Sequence, residues 1–209
     1  MKNQMKSPST LILLSAALAA FALPVVAQSN DASASGQTNS QTVQQRKDNQ
    51  QDRIANGVKN GELTTGETTN LERKEANLNQ EEHDMRSMDK GQLTDADKAK
   101  LNQQQSNLSH QIYNDKHNAA TQTADPKSEV GQRAENQQDR IAQGVKSGQL
   151  TAGETSNLEK NEAKINNEMR NDRAADGGKL TPAEKAKVNR QQNRQSRQIY
   201  RDKHNARVR

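Results

Sequence analysis

The sequence predicts an all-α protein, two tandem copies of a three-helix unit, and three observations carry that expectation. Val43 to Ala119 aligns without a gap on Val130 to Ala206 at a constant offset of 87 residues, with 47 identities in 77 positions. Within each copy the phrase Gly-x-Leu-Thr occurs twice, at Gly61, Gly91, Gly148 and Gly178, and each occurrence couples a helix stop to a helix start. Apolar residues recur at helical spacing, and nowhere do they alternate with a period of two.

Composition bounds what such a fold can contain. Among 209 residues there are two Tyr, one Phe, no Trp and no Cys. Leu, Ile, Val and Phe make up roughly a ninth of the chain after residue 27, in the range where disorder is the default. Any core is therefore thin. The lack of cysteine removes disulfides, thiol catalysis, thiolate metal sites and a lipid-modified N-terminal cysteine.

The elements follow in order. Residues 1–27 read as a signal peptide, with Lys2 and Lys6 ahead of the apolar run "LILLSAALAAFAL" and a small-residue cleavage site before Gln28. Export to the periplasm or the exterior is expected, with no membrane anchor after cleavage. Residues 28–42 read as a disordered leader. The first helix is expected over about 44–59, the second over 65–88 and the third over 95–117, with equivalents 87 residues on. Leu71, Leu78 and Met85 step by seven along one face, as do Leu101 and Leu108, followed by Ile112. Thr64, Thr151 and Thr181 precede a Glu by three residues, the capping-box pattern. In the remaining turn Asp97 stands in that place and reads as a charge favoured by the helix dipole. Pro182 suits a first helical position. Residues 120–129, with Pro126, read as a linker, and 207–209 as a basic tail.

The phrase "GELTTGETTNL" resembles the back half of an EF-hand loop and the start of its exit helix. That resemblance implies a calcium site, with ligands ahead of the Gly. The matching positions are Asn56, Val58 and Asn60; Arg86, Met88 and Lys90; Gln143, Val145 and Ser147; Arg173, Ala175 and Gly177. Arg, Val and Met cannot ligate a hard cation, so no metal site and no cofactor is expected, and calcium binding stands as an alternative reading. The layout also resembles small exported bacterial proteins that carry "LTxxE" and "IYxxKHN" repeats, a group without an assigned activity.

Catalysis finds no support in the residues. Ser109 and His110 are adjacent and point apart on a helix, and no nucleophile elbow or HExxH spacing occurs. Association is expected instead, and charge says where. Copy one, 43–119, has 11 basic and 13 acidic residues, net −2; copy two, 130–206, has 15 and 10, net +5. Arg190, Arg194, Arg197 and Arg201 form a helical stripe where copy one has Gln103, Asn107, His110 and Asn114. Guanidinium groups at this spacing suit phosphates of lipid headgroups or surface glycolipid; an envelope protein is the other candidate partner, and nucleic acid does not fit the compartment. A solvated face is the competing reading, and a structural spacer of the envelope another.

The phrase "IYRDKHN" adds Tyr200, Lys203 and His204 to that candidate site, with Tyr113, Lys116 and His117 as the copy-one counterpart. The same residues also read as a helix end: Lys and His oppose the dipole, Asn118 and Asn205 supply a left-handed cap, and Tyr packs inward. Copy two loses apolar side chains at Met85 (Asp172), Met88 (Ala175) and Leu108 (Gln195), which predicts that copy one anchors the fold while copy two orders fully only on binding.

Overall fold

A computed structural model describes residues 42–122 and 127–207. The expected signal peptide, the expected leader up to residue 41, residues 123–126 of the expected linker, and residues 208–209 lie outside them.

Six helices make up the described chain: α1 Val43–Lys59, α2 Thr65–Met88, α3 Asp95–Lys116, α4 Glu129–Lys146, α5 Ala152–Ala175 and α6 Pro182–Lys203. No described residue lies in a strand. The starts are fixed by side chains that satisfy orphan amides. The hydroxyls of Thr64, Thr94, Thr151 and Thr181 accept from the amide three residues on, and that residue's carboxylate accepts from the Thr amide. Asp97 therefore does more than oppose the dipole: its Oδ2 lies 3.0 Å from the Thr94 amide, so even the shorter side chain closes the box. Thr42 and Gln45 close a further box at α1, on a residue expected to belong to the leader.

The stops depend on close approach as much as on backbone freedom. Gly61 turns the chain with φ of 69°, and the Leu63 amide donates back to the Gly57 carbonyl at 3.1 Å. This seats Leu63, 1% exposed, on the last turn of α1, where a Cβ at Gly57 would lie 2.7 Å from the Leu63 side chain. Gly144 and Leu150 repeat the arrangement in copy two.

The helices fall where the duplication puts them, but the copies do not pack as separate units. α2 packs along α5 more extensively than along any helix of its own copy, and α1 packs on α4. α3 lies across α1 and α2, and α6 across α4 and α5. Ser156 Oγ donates to the Thr69 carbonyl at 3.1 Å, so repeat-equivalent positions meet across the α2–α5 contact. Ala142 of α4 joins the copy-one core with Ile54, Leu71, Leu101 and Ile112, while Ala55 of α1 joins Ile141, Leu158 and Ile199. α4, α5 and α6 span 18, 24 and 22 residues, against 17, 24 and 22 for α1, α2 and α3.

Amides take the place of missing apolar bulk. Gln50 Nε2 donates to the Gln105 carbonyl at 2.6 Å and Gln105 Nε2 to the Val43 carbonyl at 2.9 Å; Gln137, Gln192 and Val130 repeat both contacts in copy two. A buried amide is tolerated only when bonded, and here each Nε2 reaches a main-chain carbonyl of another helix.

Candidate functional site

The candidate site is the outer face of α6. Val188, Gln192, Gln195 and Ile199 bury one side of this helix, and Arg190, Arg194, Arg197 and Arg201 project from the opposite side, all exposed. The Arg201 guanidinium bonds Gln198 on its own helix, and among the described residues none of the four forms a salt bridge. The stripe is therefore fully available to solvent and to anions.

Its flanks are occupied differently from the sequence expectation. Tyr200 is 59% exposed and Tyr113 40%, so neither packs inward; each ring stacks on the His four residues later at 4.2 Å. His204 Nδ1 lies 2.7 Å from the Tyr200 carbonyl, and His117 repeats this with Tyr113. A ring that stacks on a neighbour in the same helix shields it without needing a core position, which is why the only late aromatics stay outside.

Lys203 turns away from the stripe and bonds Gln143 Oε1 of α4 at 3.1 Å, where burial and then the neighbouring Arg140 push its pKa down. Its counterpart Lys116 is 4% exposed and pairs with Glu62 at 3.4 Å. The structure thus keeps the four arginines together, sets Tyr200 and His204 at their edge, and removes Lys203 and Lys116 to the α1–α3 and α4–α6 contacts.

Asn118 and Asn205 do not adopt the left-handed cap; Lys90 is the one described non-glycine residue with positive φ. Asn118 Nδ2 instead donates to Glu67 Oε1 at 2.7 Å, and Asn205 Nδ2 to Glu154 Oε1 at 2.7 Å. The end of the "KHN" phrase therefore grips the capping-box Glu of the "LTxxE" phrase, and the two repeated phrases form one structural lock. The signal was their joint recurrence at a constant offset.

The EF-hand-like turns use their closing carboxylates, Glu67, Asp97, Glu154 and Glu184, to cap helices. Among the described residues no group of three or more His, Asp or Glu is placed to hold a metal ion. No described helix is long and apolar enough to cross a membrane.

A cleft of about 700 Å³ separates the α1–α2 turn from α4 and α5. Its lining carries cations, Lys59, Arg170 and Arg173, together with the anions Glu135 and Asp139. Ala134 and Met169 stand there where copy one has Lys47 and Glu82, whose charges meet at 3.2 Å. With both signs present, the cleft lacks the one-sided field that the α6 face possesses.

Comparison with known proteins finds no matching family, no similar curated protein and no similar solved structure.

Proposed function

We propose that this protein is a non-enzymatic, exported association module that binds a phosphate-bearing surface, lipid headgroup or glycolipid, through Arg190, Arg194, Arg197 and Arg201. The observation that carries this reading is four exposed guanidinium groups along one face of a helix whose other face is anchored in the body, with no acidic partner among the described residues. Guanidinium offers a planar fork suited to phosphate oxygens. A rigid helix spares the ordering cost that a disordered basic tail would bear on binding. In this reading the duplicated three-helix unit has specialised: copy one, net −2, serves as the base, and copy two, net +5, presents the face.

Each arginine near an anionic membrane contributes about 1 kcal/mol, so replacing all four by Gln weakens binding roughly a thousandfold. The test is co-sedimentation of the full chain with phosphatidylglycerol vesicles across a salt series. Binding that weakens with salt and is lost in the four-Gln variant supports the reading. Absence of binding at low salt, or binding that salt leaves unchanged, rejects it.

A further inference from the structure

Glu72 of α2 and its repeat equivalent Glu159 of α5 act on each other across the seam between the copies, and Glu75 and Glu162 follow three residues on along the same helices, each of the four at most 1% exposed. Two buried carboxyl groups that meet across a contact, each with a second buried carboxyl three residues on, form an arrangement that hydrophobic packing does not need. Amides bond three of them. Gln51 Nε2 of α1 donates to Glu72 Oε2 at 3.0 Å, and Gln138 Nε2 of α4 donates to Glu159 Oε2 at 3.2 Å. On α6, Gln195 favours the charged form of Glu162, but its amide also donates to the Leu158 carbonyl at 2.9 Å.

The charges that act on Glu159 are Glu162 on its own helix and Glu72 across the seam, both of its own sign. Three cations of the neighbouring helices are engaged elsewhere. Arg133 bonds Asn189 and Asn193, Arg140 bonds the Ser196 carbonyl, and Lys203 bonds Gln143. Lys160 and Lys164, on α5 itself, are exposed. Charge in this seam would be both desolvated and repelled.

We propose that the α2–α5 seam is a proton-operated latch: with Glu159 and Glu162 protonated beside Glu72, the copies are held face to face, and loss of those protons parts them. Burial pushes Glu162 up to about 8, and burial, followed by Glu162, pushes Glu159 well above the carboxylate range. The closed form holds protons that a solvated carboxyl releases above about pH 4.5. Closure is therefore fully favoured in acid, declines as pH rises from there to about 8, and gains nothing back beyond it.

The chain has no cysteine, so Asn70→Cys and Asn157→Cys, exposed positions beside the seam, can carry a spin-label pair in the full-length protein. From about pH 5 to about pH 9 the label distance lengthens and Tm falls by about 10 °C. The same labels on a Glu159→Gln and Glu162→Gln background change less in distance and in Tm over that range than the wild type, Glu72 and Glu75 remaining as carboxyls. A wild-type distance and Tm that do not change, or Gln variants that follow the wild type, overturn the proposal. Carbon-13 titration of the wild-type glutamates decides independently of any variant: the latch requires carboxyl groups that stay protonated above the ordinary range, and its absence contradicts it.

Discussion

Copy one and copy two share 47 of 77 residues, yet they fill their interiors differently. In copy one Leu71, Leu78, Met85, Leu101 and Leu108 form one continuous core. In copy two the apolar residues separate into two clusters, Ile141, Val145, Leu150, Leu158 and Ile199 on one side and Val130, Ile165, Met169, Leu180 and Val188 on the other. The break falls where Leu108 is replaced by buried Gln195. The loss of Met85 is smaller than the sequence implies, because Met169 restores a buried methionine three residues before Asp172. The comparison teaches that duplication here preserved the helix punctuation, while the interior and the surface were free to diverge.

The largest expected effect comes from imposing one copy's interior on the other. Leu108→Gln removes a joining side chain from a continuous core and buries an amide, and should cost about 2–4 kcal/mol in chemical denaturation. Gln195→Leu, the reverse exchange, should cost under about 1 kcal/mol or stabilise the protein, since it joins two existing clusters. Equal costs for the two changes would erase the distinction between the cores.

Gly57→Ala and Gly144→Ala come next and should behave alike, because the Cβ meets Leu63 at 2.7 Å in one copy and Leu150 at 2.6 Å in the other. Each should cost about 1–3 kcal/mol by displacing a buried leucine. Lys47→Ala acts on copy one alone, where Lys47 and Arg86 hold Glu82. Burial alone would raise the pKa of Glu82, but the Arg86 bond and Lys47 outweigh it, so the net direction is down. Its contribution is complete above the ordinary carboxylate value and fades as pH falls through the lowered one. Removing Lys47 should cost about 1 kcal/mol at neutral pH, less in acid, since the pair is partly open to solvent. The smallest effects are at the caps: Thr94→Ala and Thr181→Ala should each cost about 1 kcal/mol in thermal unfolding, despite Asp97 in one box and Glu184 in the other.

Much of this was legible in the sequence for a local reason. A helix cap is a relation over three residues, and Thr64, Thr94, Thr151 and Thr181 state it directly. The arginine stripe is likewise a relation within one helix. The seam is a relation between copies, and Glu72 or Glu75 in a helix crowded with Arg73 and Lys74 reads as a solvated face. One trace was present. Both glutamates recur unchanged as Glu159 and Glu162, while the intervening Arg73 and Lys74 become Lys160 and Asn161. The amides of Gln50 and Gln51 were hidden for the same reason, since their acceptors lie on other helices.

The central claim, that the four arginines rather than net charge direct association, is tested by moving them. In a swapped protein, Arg190, Arg194, Arg197 and Arg201 become the copy-one residues, and Gln103, Asn107, His110 and Asn114 become Arg, so net charge is unchanged. A fluorophore at Ala99→Cys or at Ala186→Cys, exposed equivalents on α3 and α6, reports which helix meets phosphatidylglycerol vesicles that carry a quencher. The account predicts quenching at residue 186 in the natural sequence and at residue 99 in the swapped one. Quenching that stays at residue 186 after its arginines are gone would contradict it.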